Sequence, residues 1–294
     1  MNNTYTKPKI SIVMVDGSFR ERYESIDFMA RQGFAPQDYE LIWVEYYDTI
    51  ANDLQRRIDK ACASGRNFRT IALGKGGTYH SSYCFNRGIA EARGELIVIP
   101  DADVIAEPDF LQAVWEDHSV SDRLVTYYHR YNEPDDQRIN DVNIDHLRKV
   151  CELTNPANHG ACIAVRRKWL IEINGYEQSP IFATGFHAND KDIYARLCSL
   201  GLMVRWNPGV KLWHPWHAMT GEVTPHYKPQ RDLINWRGRT LSTLPFQGLD
   251  PSRNTTPPPR YVEIEKWLTT LDVPKWKKVA VKLRRITGLE RRAA

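Results

Sequence analysis

Four short apolar runs punctuate the first hundred residues: Ile10–Val15 (ISIVMV), Glu40–Val44 (ELIWV), Thr70–Leu73 (TIAL) and Glu95–Pro100 (ELIVIP). A continuous apolar run is the pattern of a strand buried on both faces, and so of a sheet with helices on either side. The segments between them carry helical spacing. Arg20–Gln32 sets Tyr23, Ile26, Phe28 and Met29 among charges, and Ile50–Ala63 puts Ile50, Leu54, Ile58 and Ala61 on one face. Ser81–Ala92 forms a third helix, closed by Arg93-Gly94. Repeated strand–helix units predict an α/β chain with a parallel, doubly wound sheet. Such sheets bind ligands beyond the carboxyl ends of their strands. Four loops are thereby drawn to one pocket: Asp16–Ser18, Glu45–Asp48, Gly74–Thr78 and Asp101–Val104.

The second half is less regular. A helix is predicted over Asp141–Leu153, a strand over Ala161–Val165, and a helix over Asn189–Leu200 ending at Gly201. Met203–Trp206 and Val210–Trp213 read as two short strands divided by Asn207-Pro208-Gly209. The expected organisation is a domain over 1–244, a proline-rich linker over 245–259 and a basic helical extension over 260–294. Helices are predicted there at Tyr261–Leu271 and Pro274–Gly288.

Charge narrows the function. From Arg260 onward there are ten Lys/Arg against four Asp/Glu, so in a chain of net charge +4 the first 259 residues are slightly acidic. A nucleic-acid binder would carry its positive charge on the working domain, so no nucleic-acid partner is expected. The five cysteines (Cys62, Cys84, Cys151, Cys162, Cys198) are scattered without a CxxC pair, the pattern of reduced thiols. The N-terminal MNNTYTKPK is polar and carries no signal-peptide core. A cytoplasmic location is expected. In the tail, Trp276, Val279, Ala280, Leu283 and Ile286 recur at helical spacing among basic residues. An amphipathic helix over 274–288 suits peripheral contact with the inner face of an anionic membrane. Packing on the main domain or on a dimer partner fits equally well.

The chemistry concentrates at Ile97–Val104 (IVIPDADV), where a buried strand runs into two carboxylates one residue apart. If the strand persists, Asp101 and Asp103 share a face and converge on one hard cation, for which Mg²⁺ and Mn²⁺ are suited. A solvated acidic turn is the competing reading.

Around that pair the order of motifs resembles the family 2 inverting glycosyltransferases with the GT-A fold. Ser82–Val104 keeps the family's Asn86, Gly88, Ala92-Arg93-Gly94 and Asp101-Ala102-Asp103, and departs from it at Phe85. Gly160–Arg167, Asn174-Gly175-Tyr176-Glu177, Asn189-Asp190-Lys191-Asp192 with Arg196-Leu197, and His214-Pro215-Trp216-His217 are similar to its later motifs. The likeness covers roughly residues 8 to 240. It implies a GT-A fold with a mixed doubly wound sheet, a nucleotide-diphosphate sugar donor (UDP being the commonest) and a divalent metal, Mn²⁺ or Mg²⁺. The acceptor it implies is a glycan or lipid-linked hydroxyl, in cell-surface polysaccharide or glycoconjugate synthesis.

By that resemblance Val15, Asp16, Ser18, Glu45, Asn86, Asp101 and Ala102 contact the nucleotide sugar. Glu45 stands in Glu45-Tyr46-Tyr47-Asp48, where the family has Asp-Asp-Gly-Ser. Lys75, at a strand end in a glycine-rich loop without phosphate-loop spacing, can reach the nucleotide sugar's diphosphate, and a flexible exposed loop is the equal alternative. Asp103 is the metal ligand, with nitrogen from His214 or His217. Asp190 occupies the position of the base that takes the acceptor's proton, while capping a helix is its ordinary alternative. Asn189 and Trp216 fall on the acceptor side, though Trp206, Trp213 and Trp216 fit a buried core as well as stacking on sugar rings, and Ala218–Arg231 reads as a lid. Two other functions share parts of this pattern: a sugar nucleotidyltransferase, for which the Asp16–Arg20 loop is poor in glycine, and a non-catalytic scaffold, which would have shed the acidic ligands.

Overall fold

A computed structural model describes residues 7–183, 188–218 and 227–270. The chain divides into two compact units, residues 1–256 and 257–294. In the first, β1 (Ile10–Asp16), α1 (Glu24–Ala30), β2 (Tyr39–Glu45), α2 (Asn52–Ala63), β3 (Asn67–Ala72), α3 (Ser81–Glu91) and β4 (Leu96–Pro100) follow the predicted alternation. β5 (Ile105–Ala106), α4 (Phe110–Asp117), β6 (Leu124–Asn132), α5 (Ile144–Val150), β7 (Cys162–Arg166), α6 (Arg167–Glu172), α7 (Asn189–Ser199), β8 (Met203–His214) and α8 (Tyr227–Thr240) complete it. The second unit contributes α9 (Pro259–Thr270). The tail helix expected over 274–288 and residues 219–226 of the expected lid lie outside the described residues; the lid's last residues, from Tyr227, open α8.

Eight strands form one sheet in the order β3-β2-β1-β4-β7-β6-β8-β5. The first four strands are parallel, as strand–helix units require. β7 then runs antiparallel to both β4 and β6, and β5 antiparallel to β8, so the whole sheet is mixed. Side chains alternate across it. Ile12 and Met14 face a core closed by Ile26 and Met29 of α1, Leu54 and Ile58 of α2, and Phe110 and Val114 of α4. Val13 and Val15 face the opposite core, closed by Ile89 of α3, Leu170 of α6, and Ile193 and Leu197 of α7.

The Ala92-Arg93-Gly94 motif is explained by packing. Glu40 is fully buried in β2 and accepts from Ser11 Oγ (2.7 Å), Arg69 Nη1 (2.6 Å) and the Arg93 backbone N–H (2.7 Å). Although burial alone would raise its pKa, these bonds hold the carboxyl below its ordinary value. A Cβ on Gly94 would lie 2.6 Å from the Ser11 backbone nitrogen, so only glycine lets the chain cross β1 there.

Several element boundaries differ from the sequence reading. The first helix is seven residues, not thirteen, because Arg20 and Arg22 are engaged in loop contacts before it. β3 begins at Asn67 and ends at Ala72, since its pairing with β2 starts at Glu40↔Asn67. The helix expected over 141–153 spans Ile144–Val150, opened by Asn143, whose side chain accepts from Asp145 and His146 N–H. The two short strands around Pro208 are one strand. The register along β6 jumps between Tyr128↔Asn207 and His129↔Lys211, a bulge that absorbs the missing proline N–H. The proline-rich 245–259 stretch is hydrogen-bonded in its early part to the domain before it: Phe246 and Gln247 N–H donate to Glu177, and Leu249 and Asp250 N–H to Asn174.

Candidate active site

The strand order places the site. β1 pairs with β4 only from Ile10↔Leu96 to Ile12↔Val98, so the two strands part toward their carboxyl ends. That divergence, with β2 and β3 on one side and β4 on the other, is the switch point where open α/β sheets take ligands.

Beyond β4 the chain turns at once. Asp101 N–H donates to the Ala161 carbonyl (2.9 Å), and Val104 N–H to the Asp101 carbonyl (3.3 Å). After the turn the two carboxylates take different partners. Asp101 Oδ2 meets Arg130 Nη1 of β6 at 2.5 Å. Burial pushes the Asp101 carboxyl up, against the pull of Arg130. Asp103 instead faces two histidines. His214 Nε2 lies 3.4 Å from Oδ1, His217 Nε2 3.1 Å from Oδ2, and the two Nε2 atoms are 3.2 Å apart. Arg20 Nη1 pairs with the same Oδ2. Burial would raise the Asp103 pKa, but Arg20 and His214 outweigh it and hold the carboxyl well below the usual range. The bond to Asp103 raises the pKa of His217.

One carboxylate and two imidazole nitrogens, with ligand atoms within 4.8 Å of one another, form a donor set suited to a borderline divalent ion. Asp103 Oδ1 is buried and has no hydrogen-bond partner among the described residues. An orphaned carboxylate oxygen beside two converging imidazoles fits a cation. Glu133, not singled out by the sequence, positions the histidine turn. It is 4% exposed, its N–H donates to the His214 carbonyl (2.9 Å), and its carboxylate takes Trp216 N–H (2.8 Å) and His146 Nε2 (3.1 Å). Arg138 stacks over Trp216, 4.3 Å from its ring centre.

The end of β1 supplies the opposite wall. Asp16 is buried, takes Gly17 N–H at 2.8 Å, and has Arg20 Nε at 3.9 Å. Burial pushes its pKa up to about 6, against the pull of Arg20. Ser18, at φ +55°, donates its hydroxyl to Glu45 Oε1 (3.1 Å), joining the β1 and β2 loops. Gly17 lies against Tyr79, where a Cβ would come within 2.3 Å of the ring, and Phe19 packs on the edge of that ring. Tyr79 is a wall residue that no motif signalled. Val15 belongs to the buried core that α3 closes. Ala102 is likewise buried, with its carbonyl taken by Ser25 Oγ (2.6 Å). Lys75 stacks on Tyr83, its amine 4.4 Å from the ring centre.

Two amide side chains of the expected site also tie elements together. Asn86 is buried, donating to the Tyr176 carbonyl (2.8 Å) and accepting from Tyr176 N–H (2.7 Å). Bonded at both ends of its amide, it clamps the 174–177 turn to α3. Asn189 donates to Ser81 Oγ (2.7 Å) and accepts from Asp190 N–H (2.9 Å), tying the start of α7 to the start of α3.

Asp190 sits at that tied end, and no side-chain cap bond is made by the residue preceding α7. A Cβ on Gly160 would lie 3.2 Å from Asp190 Oδ2. Gly160 precedes Ala161, whose carbonyl holds Asp101, so the start of β7 links Asp190 to the Asp101–Asp103 turn. Burial pushes its carboxyl above the ordinary value, against the Lys191 N–H and the charge of His159. His159 itself packs among Tyr127, Tyr194 and Trp206. Trp206 is stacked on Tyr127 and His129, a packed aromatic cluster beside the site.

Residues 23–173 match the family model described as glycosyl transferase family 2. No curated protein sequence matches the chain. Among solved structures, S. aureus TarS is similar at 15% identity with a TM-score of 0.56, over 78% of this chain and 39% of that one. Its 1–349 portion in complex with UDP-GlcNAc aligns at 15% identity and a TM-score of 0.54, over 77% and 65%. The mannosyltransferase PcManGT from Pyrobaculum calidifontis, in complex with GDP-Man and Mn²⁺, aligns at 12% identity and a TM-score of 0.52, over 97% and 89%. This chain thus spans well under half the length of TarS. At these identities the likenesses speak to the fold.

Proposed function

The chain belongs to glycosyl transferase family 2, and from that premise we propose that it is a metal-dependent inverting enzyme using a nucleotide-diphosphate sugar. The observation that carries this reading is the convergence of Asp103, His214 and His217 at the β1–β4 divergence. Those three residues would hold Mn²⁺ or Mg²⁺, and a bound divalent ion supplies Lewis-acid stabilisation of the departing diphosphate. UDP is the favoured nucleotide, since TarS is described with UDP-GlcNAc; GDP is the alternative, since PcManGT is described with GDP-Man.

The chain's own residues divide the remaining work. Asp16, Ser18 and Glu45 form the nucleotide wall, with Glu45 accepting from the base. Lys75 stands at the rim to reach the diphosphate, and Asp101, held by Arg130, borders the same cleft. Asp190 takes the proton of the acceptor hydroxyl as its oxygen attacks the anomeric carbon. The bond from that carbon to the diphosphate breaks on the opposite face, so configuration inverts. A carboxyl raised by burial is a better base for this task than a solvated one. Trp216 lies on the acceptor side.

The acceptor is a glycan or lipid-linked hydroxyl, in polysaccharide or glycoconjugate synthesis. The three-part organisation (1–244, 245–259, 260–294) and a cytoplasmic location, with residues 274–288 in peripheral contact with the inner membrane face, belong to the same proposal. Among the described residues no helix is long and apolar enough to cross a membrane.

The test is donor hydrolysis and Mn²⁺ binding by the full chain, with UDP- and GDP-sugars. Asp103→Ala should lose Mn²⁺ binding. Asp190→Asn should keep it while turnover falls about 10²–10⁴-fold, the usual size of a general-base contribution. Unchanged turnover in both variants would overturn the site assignment.

A further inference from the structure

The loop from β1 to α1 places a cation where a metal ion would be held. Arg20 is largely buried, with 12% of its side chain exposed, and its Nη1 pairs with Asp103 Oδ2. Its Nε lies 3.9 Å from Asp16 Oδ1 and, among the described residues, makes no hydrogen bond. The same Oδ2 is the oxygen that His217 Nε2 approaches at 3.1 Å. A guanidinium and a divalent ion on one carboxylate oxygen repel each other at short range in a poorly solvated site, so each weakens the other's hold on Asp103.

We propose that Arg20 is an internal counter-cation, which holds Asp103 while the donor is absent and yields it to the divalent ion when a nucleotide diphosphate arrives. This rests on the metal-ligand reading of Asp103 above. Three features support an exchange in place of a fixed substitution. Arg20 sits on the irregular segment between Asp16 and Glu24, so its guanidinium is not carried by a helix or strand. It also borders, with Asp103, Trp216 and His217, an open cleft toward which a long side chain can turn. Its unsatisfied Nε and planar fork suit diphosphate oxygens, which would enter between Asp16 and Asp103. Displaced from one anion, the guanidinium meets another, and neither state leaves a buried charge alone.

The consequence is coupling. Metal and nucleotide diphosphate each bind weakly by themselves and strengthen one another, because each relieves the cost the other meets. Mn²⁺ binding to the full chain, followed by electron paramagnetic resonance with and without UDP or GDP, reads this directly. In Arg20→Met, which keeps the aliphatic stem, Mn²⁺ alone should bind at least about tenfold tighter than in the native protein, within the usual range of coupling between sites. Nucleoside diphosphate without metal should bind more weakly, and its enhancement of Mn²⁺ binding should shrink. Arg20→Lys, retaining the charge, should keep Mn²⁺ binding weak, and thermal melts confirm that both variants fold.

Equal or weaker Mn²⁺ binding by Arg20→Met overturns the proposal. So does metal-free nucleotide binding that depends on Arg20 while Mn²⁺ has no effect, which would make Arg20 a permanent replacement for the ion. Asp103→Ala separates the two levels of inference. Mn²⁺ binding that survives Asp103→Ala defeats the metal-site reading itself. Binding that needs Asp103 but ignores Arg20→Met defeats only the exchange.

Discussion

Arg237→Met should destabilise the catalytic domain by about 4 kcal/mol, because it breaks a buried tetrad of charges that joins α8 to α7. Arg237 and Arg196 face Asp192 and Glu177, and the ion-paired side chains of all four are fully buried. Arg237 pairs with both acids. Arg196 bonds Asp192 Oδ2 (2.8 Å) and the Ile173 carbonyl (2.8 Å), while Glu177 also accepts Ser179, Phe246 and Gln247 N–H at 3.0, 2.7 and 2.9 Å. The two positive and two negative charges balance, so deleting one leaves a net buried negative charge. Breaking a buried pair costs about 3–5 kcal/mol, and two charge-assisted bonds at about 1.5–3 kcal/mol each give a similar figure. Against a typical total of about 5–15 kcal/mol this is a large share. Urea denaturation at pH 7 measures it, with Arg239→Met, an exposed position two residues on, as the control expected within about 0.5 kcal/mol. Turnover should fall too, because Asp192 anchors the helix that carries Asp190. A loss below about 1 kcal/mol, or one equal to the control, would refute the idea that the tetrad holds α8 in place.

Other outcomes follow from the site and its supports. The native Asp16 carboxyl, with a pKa of about 6 against 3.8 ordinarily, keeps its proton to a higher pH than the unfolded chain does. Its stabilising contribution is therefore present below about pH 4 and is lost as pH rises through about 6. Asp16→Asn should then change stability little at pH 4 and raise it by up to about 3 kcal/mol at pH 8. Melting curves across that range check it, and an equal gain at both ends would contradict the burial argument. Gly94→Ala should cost about 3 kcal/mol by overpacking, since its Cβ would meet Ser11 and Ile10 backbone atoms of the central strand, which cannot retreat. A melting temperature within a degree or two of the native value would show that the crossing is looser than the distances imply.

The strand–helix alternation was legible because apolar spacing is a local property. A run such as Ile10–Val15 is buried whatever its neighbours, and the helical faces at Leu54, Ile58 and Ala61 needed only their own periodicity. Motif order likewise brought Asp103, His214 and His217 into view before any coordinates. Strand direction was not local. Nothing in Cys162–Arg166 tells that it runs against β4, and that reversal sets Gly160 and Ala161 beside Asp190 and Asp101. The ion-pair partners of Asp101 and Asp103, Arg130 and Arg20, come from distant segments that the motif itself does not name. Asn86 kept its place in a motif while its amide was claimed by Tyr176, ninety residues away in sequence.

By itself, then, the sequence determined the covered α/β sheet and pointed to the acidic and imidazole groups proposed for the site. Only the tertiary structure decided their partners: Arg20 on Asp103, Arg130 on Asp101, Glu133 behind the histidine turn and the Glu177–Arg237–Asp192–Arg196 tetrad. The physical reason is range. Burial patterns repeat every two to four residues along the chain, whereas a charge chooses its partner by distance in space, and Arg20 and Asp103 stand 83 positions apart.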